Sequence, residues 1–247
     1  MIGIVGYGMV GKAVANGFNR TSILLSDPQY NDLTIEYMCS KDPEVIFVCV
    51  PTPTDDTNYS LLLGVIDDIK KCNYKGIIVV KSTVLPSYIA DLDVVYNPEF
   101  LSRATANDDF INPPFVLLGG RPALTKQVAE VYRKYSQVKL EKIIYTDIKT
   151  AALAKYTMNS FYATKVTFMN QMYEVAKQEG VNWNSVVGIL KEQPWMGTHH
   201  FQVPGPDGSR GFGGPCLPKD TEALVKEFDL PLLEKVLELN STYRQRN

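Results

Sequence analysis

Seven short runs of apolar and β-branched residues mark the first 146 positions: IGIVG, SILLS, EVIFVCV, GIIVVKS, LDVVY, PFVLLGG and KIIYT, each set off by a stretch that favours helix or turn. Runs this short and this uniformly apolar suit strands covered on both faces, because a sheet with one wet face would alternate polar and apolar residues. Strand and helix in rotation predict a parallel, doubly wound α/β sheet with right-handed crossovers. From Asp147 the rhythm changes. No proline or glycine interrupts the stretch from there to about Gly180, which predicts one long helix, followed by a second from Trp183 to Glu192 and two more from Pro218 and Leu230. The expected organisation is a sheet domain over residues 1–146 and a smaller all-helical domain over 147–247.

The chain opens as IGIVGYGMVGKAVANGF, a strand running through G-x-G-x-x-G into a helix. Gly6 suits the tight turn, Gly8 the close approach of backbone to a ligand and Gly11 the packing of helix on strand, so that a pyrophosphate would rest at the helix N-terminus. The sheet is therefore expected to be Rossmann-like, with residues Gly6, Tyr7, Gly8, Met9, Val10 and Gly11 forming a dinucleotide cradle. Asp27 closes the second strand. It can open a turn with Pro28, but its position favours a bond to the adenosine ribose hydroxyls, and a carboxylate there repels a 2'-phosphate, which points to NAD over NADP.

The formal net charge of −2 and the absence of any run of five like charges exclude a nucleic-acid or membrane-binding electrostatic footprint. The longest apolar runs are far short of a membrane span, and the N-terminus lacks a signal-peptide pattern, so a cytoplasmic protein is expected. Cys39, Cys49, Cys72 and Cys216 fall at irregular spacing with no C-x-x-C, which indicates neither a disulfide framework nor a zinc site. His199 and His200 are adjacent in a polar loop with no carboxylate at ligand spacing, and no metal is expected.

Two places remain where the residue types suggest chemistry. Lys155 has Ala151, Ala152, Met158 and Asn159 as helical neighbours, so no carboxylate of its own helix can pair with it. A lysine stem lying over apolar neighbours and a Lys155–Asn159 pair aimed into a site account for that pattern equally well. The second place is GSRGFGGPCLPKD, residues 208–220. Its glycines let backbone N–H groups approach an anion, Pro218 suits a helix start and Asp220 falls in the first turn. Cys216 then faces a helix N-terminus, where the dipole, with Lys219 nearby, favours thiolate. Cys49, inside VIFVCV, reads instead as a small buried hydrophobe. The surrounding loop, 193–217, carries Trp195, Phe201 and Phe212 as expected anchors, so it is read as ordered.

In order and spacing, GYGMVG, CVPTP (49–53), KSTV (81–84), NPEFL (97–101), AKYTMN (154–159) and GFGGPCLPKD (211–220) resemble the UDP-glucose and GDP-mannose dehydrogenase family over essentially the whole chain. The resemblance implies two successive NAD-dependent oxidations of a nucleotide sugar's primary alcohol to a carboxylate, with UDP-glucose as the expected substrate. It implies Cys216 as nucleophile, Lys155 and Asn159 as holders of the reacting oxygen, and Asp220 as the group that works with the lysine on proton transfer and water. Glu99 and Thr83 would position the water and substrate. Phe100, Leu101, Gly211, Phe212 and Gly213 would line the sugar site, and Pro51, Thr52, Pro53, Ser82 and Thr83 would complete the cofactor contact. The terminal LPLLEKVLELNSTYRQRN is similar to the family's dimer-forming helix, and with Leu232, Leu233, Val236, Leu237 and Asn240 read as an exposed face it implies a homodimer. The chain departs from the family in placing Arg103 where a glutamate is frequent. It is also expected to lack the C-terminal nucleotide-binding domain. A lysine-dependent hydroxyacid-type or 6-phosphogluconate-type dehydrogenase, and a non-catalytic NAD- or sugar-binding module, are the alternatives.

Overall fold

A computed structural model describes residues 1–53, 55 and 58–245. The last two residues of the expected terminal helix, Arg246 and Asn247, lie outside the described residues. The chain divides into two compact units, Met1–Lys155 and Tyr156–Asn247.

In the first unit all seven apolar runs become strands: β1 (Ile2–Val5), β2 (Ile23–Ser26), β3 (Val45–Val48), β4 (Ile77–Val80), β5 (Val95–Tyr96), β6 (Val116–Gly119) and β7 (Ile143–Thr146). They form one sheet in the order β2-β1-β3-β4-β5-β6-β7. Helices α1 (Met9–Gly17), α2 (Ile35–Ser40), α3 (Ser60–Lys71), α4 (Pro86–Ile89), α5 (Ala106–Ile111) and α6 (Pro122–Tyr135) connect them. β1, β3, β4 and β6 are buried along their whole length, as their unbroken apolar composition requires. The core joins Ile4, Phe47 and Val79 of the strands to Phe18, Phe110 and Tyr132, and each such large side chain contributes roughly 1.5–3 kcal/mol through burial. One detail differs from an all-parallel sheet. β5 and β6 run antiparallel through the single register pair Tyr96–Gly119, after which β6 and β7 are parallel to each other. A fully apolar run carries no mark of its direction, and antiparallel edges on parallel sheets are common.

The long helix α7 spans Ile148–Gln178, beginning in the first unit and continuing into the second. The second unit adds α8 (Trp183–Lys191), a 3-10 turn at Pro194–Met196, α9 (Leu217–Glu227) and α10 (Pro231–Gln245). One small core there gathers Met169, Ala176, Trp183, Val187, Phe201 and Val203, and another gathers Ala163, Phe212 and Val236. Phe201 and Phe212 anchor the 193–217 loop as expected, but Trp195 does not: it sits in the 3-10 turn and is 97% exposed. The exposed face expected on α10 is also largely absent. Val236 is in the core and Asn240 is buried, because the glycine loop packs against that side of the helix, while Leu232 stays exposed.

Candidate active site

In the first unit the turn after β1 has the shape a dinucleotide requires. Gly6 adopts φ +90°, and a Cβ there would lie 2.8 Å from the Cys49 carbonyl oxygen. A Cβ at Gly11 would come within 2.0 Å of the Gly6 oxygen, so only glycine lets α1 start this close to the turn. Gly8, the N-cap of α1, has no atom within 4 Å of where a Cβ would stand. Open space therefore lies at the end of a helix whose first amides have no intrahelical acceptors. Asp27, directly after β2, accepts from the Tyr7 N–H at 2.6 Å through Oδ2 and from the Gln29 N–H at 2.9 Å through Oδ1. Each oxygen keeps a further lone pair for a ribose hydroxyl. The cradle fits NAD. Tyr7 packs edge-on against Tyr30, and Lys12 donates to the Tyr30 hydroxyl at 2.9 Å, a bond that raises the lysine's pKa. Motif reading does not single out Lys12 and Tyr30; the available signal is Lys12's place directly after the last glycine of the motif.

At the ends of β3 and β4, Thr52, Ser82 and Thr83 are buried and Pro51 and Pro53 exposed. Ser82 donates to the Val50 carbonyl at 2.6 Å, tying the two loops together. Behind them is a polar cluster that motif reading does not reveal. Lys81 is buried and donates to both the carbonyl (3.0 Å) and the side-chain oxygen (2.9 Å) of Asn97. Asn97 also accepts from the Tyr132 hydroxyl at 2.6 Å and donates to the Leu117 carbonyl at 2.9 Å. Burial lowers the Lys81 pKa to about 8, the charge of Lys155 acting in the same direction and those of Cys49 and Glu99 against it.

Lys155 proves to be paired after all, with a residue far away in sequence. Its Nζ lies 3.1 Å from Glu99 Oε1, with the two side chains only 4% and 7% exposed, and it sits 5.1 Å from the centre of the Phe100 ring. Glu99 Oε2 accepts from the Leu101 N–H at 2.7 Å, which fixes the carboxylate. Four predicted residues of the first unit, Glu99, Phe100, Leu101 and Lys155, are thus brought together. Arg103 is exposed in the turn that follows.

The second unit carries the other cluster. Cys216 is the N-cap of α9 and half-buried, and Asp220, one turn on, is completely buried. Asp220 accepts from Asn159 Nδ2 at 2.5 Å and pairs with Lys219, so the Lys219 charge is directed at Asp220. The loop before Cys216 is held from outside itself. Gly211, at φ +70°, donates its N–H to Asn170 at 3.1 Å, and the N–H and C=O of Phe212 are both taken by the Asn240 amide, at 2.7 and 3.0 Å. This revises the expected reason for two of the loop's residues: the Gly211 and Phe212 amides serve internal packing, and a Cβ at Gly211 would strike Asn240 at 2.4 Å. Gly213 is likewise close-packed, against Arg244 and Asp207, whereas Gly214 faces open space. Asn170 and Asn240 carry no sequence signal beyond an amide on an otherwise apolar helix face. His200 stacks on Tyr162 at 4.5 Å, and burial lowers its pKa.

Among the described residues no three His, Cys, Asp or Glu side chains are grouped to hold a metal, and no helix is long and apolar enough to cross a membrane.

Comparison with known proteins agrees with these two halves. Residues 29–136 match the NAD binding domain of the UDP-glucose/GDP-mannose dehydrogenase family, and residues 149–242 match its central domain. GDP-mannose 6-dehydrogenase of Pseudomonas syringae pv. tomato is 31% identical over 233 residues, covering 82% of this chain and 51% of the relative. UDP-glucose 6-dehydrogenase of Rickettsia felis is 32% identical over 223 residues, covering 81% and 48%. The chain thus spans about half the length of these curated relatives. The fold is that of a UDP-glucose dehydrogenase from Pyrobaculum islandicum, with a TM-score of 0.81 at 23% identity, covering 98% of this chain and 68% of that one. With a glycine cradle built for NAD and both domain signatures in sequence order, the chain belongs to the UDP-glucose/GDP-mannose dehydrogenase family, whose members are NAD-dependent nucleotide-sugar dehydrogenases.

Proposed function

We propose that the protein oxidises the primary alcohol of a nucleotide sugar, UDP-glucose foremost, to the carboxylate through a covalent intermediate on Cys216. The observation that carries this reading is the second-unit cluster: a cysteine capping a helix N-terminus, one turn before a fully buried aspartate that is held by Asn159 and Lys219. Burying a carboxylate with two donors costs free energy that packing alone would not require.

NAD, held by Gly6, Gly8, Gly11 and Asp27 with the 51–53 and 82–83 loops, supplies a hydride acceptor for each oxidation. The chain's own groups do the rest. In the first oxidation a base takes the hydroxyl proton, a role assigned to Asp220, while Asn159 and Lys155 stabilise the alkoxide. The Cys216 thiolate, favoured by the helix N-terminus, then adds to the aldehyde carbon to form a thiohemiacetal. Oxidation of that adduct leaves a thioester. Water, for which Glu99 and Thr83 are the positioning residues, cleaves the C–S bond, releasing the carboxylate and restoring the thiol. Phe100 and Leu101 are assigned to the sugar, while the Gly211–Gly213 segment, with its Gly211 and Phe212 amides engaged by Asn170 and Asn240, fixes the loop that presents Cys216. The working form is read as a cytoplasmic homodimer, supported by Phe161, Phe168 and Val175, which lie seven residues apart on α7 and are 61%, 49% and 48% exposed.

The test is a nicotinamide absorbance assay with UDP-glucose, GDP-mannose and UDP-N-acetylmannosamine, run beside Cys216→Ala and Cys216→Ser. Wild type should turn over UDP-glucose fastest. Cys216→Ala should bind NADH normally but form no sugar acid, and Cys216→Ser should accumulate an ester adduct visible in the intact mass. Full acid production by Cys216→Ala would overturn the covalent route, and faster turnover of either other sugar would reassign the substrate.

A further inference from the structure

Two cysteines that the chemistry above does not use meet in the first unit. Cys39 lies in the last turn of α2 and Cys72 is the C-cap of α3, and both line one cavity of about 350 Å³ together with Glu36, Ser40, Asp68 and Lys71. The helices that carry them pack against each other. Cys39 is buried, while Cys72 is half-exposed and directs its Sγ to the Asp68 carbonyl at 3.2 Å. Both side chains face the same cavity, and burial first, then the neighbouring Cys72 thiol and the charge of Glu36, push the Cys39 pKa up to about 12. Because Cys39 is buried and Cys72 is not, Cys72 is the thiol an oxidant reaches first.

We infer that Cys39 and Cys72 form a redox-active dithiol, a modification site in which a peroxide converts the pair to a disulfide clasping α2 to α3. The steps balance. Cys72 thiolate attacks one oxygen of hydrogen peroxide, the O–O bond breaks and hydroxide leaves, giving a sulfenic acid. The Cys39 thiol then displaces that oxygen, forming the S–S bond and releasing water, so that two thiols are oxidised by two electrons and one peroxide is reduced. The pair suits this chemistry better than metal binding, since no third ligand is grouped with it among the described residues. Sequence spacing does not reveal it, because the two cysteines are far apart in the chain and no C-x-x-C marks them.

The full chain is treated with stoichiometric hydrogen peroxide, residual thiols are capped with N-ethylmaleimide, and the product is read by intact and peptide mass spectrometry. The expected result is a species lacking two cappable thiols, with one crosslinked peptide pair containing Cys39 and Cys72. A melting temperature several degrees above the reduced form should return to its starting value with dithiothreitol. Cys39→Ser should lose the crosslink and leave Cys72 as a sulfenic acid that dimedone captures. The inference is overturned if both cysteines of the wild type remain fully cappable, or if the crosslink found joins either of them to Cys216. The wild-type measurement decides the matter even if a serine variant folds poorly. It is also independent of turnover, so its failure leaves the proposed activity untouched.

Discussion

The Lys155–Glu99 pair allows a quantitative test of the first unit. At 3.1 Å, with side chains 4% and 7% exposed, neither charge can regain water when its partner is removed. Deleting one member of such a pair costs about 3–5 kcal/mol. Lys155→Met leaves a buried carboxylate held by the Leu101 N–H without its cation, and should fall in that range. Glu99→Gln is milder in form but not in effect. If its amide oxygen keeps the Leu101 bond, its NH2 group faces an ammonium, donor against donor, and the cost is again about 3 kcal/mol. The double variant removes both charges, and the methionine side chain brought in by Lys155→Met would still pack on Phe100. Its total should therefore be well below the sum, with a coupling energy of about 2–3 kcal/mol. Urea unfolding at pH 7 followed by circular dichroism gives each value from the midpoint at constant m, fitted with two transitions where the two units separate. Additivity within about 0.5 kcal/mol, or single losses below about 1 kcal/mol, would mean that the two groups reach solvent, and the buried-pair argument would fail.

Lys81 titrates in the opposite sense to a stabilising ion pair. Its folded pKa, about 8, is below the ordinary 10.5, so between these values the unfolded chain holds the extra proton and stability rises with pH. Relative to Lys81→Met, wild type should gain about 3 kcal/mol across that window, and a flat difference between urea midpoints measured on either side of pH 8 would refute the shift. Gly8→Ala should keep the wild-type melting temperature and weaken NADH binding, while Gly11→Ala, whose Cβ meets backbone at 2.0 Å, should lose both. Fluorescence titration beside thermal melts separates the two, and equal melting losses would undo the distinction. Phe161→Glu with Phe168→Glu should shift sedimentation from dimer to monomer at micromolar concentration, and an unchanged dimer would move the interface elsewhere.

What can be read without the structure is whatever is local. Each strand ends within two residues of its apolar run, and α7, α8 and α9 start within a residue of their punctuation, because composition and turn residues act over a few positions. The differences have a common cause. The Lys155 partner lies 56 residues away, beyond any helical neighbour rule. Asn240 reads as part of a bare face because periodicity sees an amide as polar surface, whereas here it completes the hydrogen bonds of Phe212. Trp195 has the size of an anchor, but nothing in a residue's size says whether a neighbour will cover it. The reversal between β5 and β6 is invisible for the reason that makes both strands recognisable: an apolar run reads alike in either direction.

That reversal bears on how the sheet breathes. β5 is two residues long and meets β6 through one register pair, so the ladder is thinnest there. The side chains supply what the backbone does not. Asn97 bonds across to the Leu117 carbonyl of β6, receives Tyr132 from α6 and holds Lys81 at the end of β4. The polar clasp and the core residues Val116, Leu118 and Tyr132 thus hold β6 and α6 to the rest of the sheet where the backbone ladder is thin, and native-state hydrogen exchange should find the β5–β6 amides no less protected than those of the parallel strands, with Asn97→Ala selectively lowering that protection.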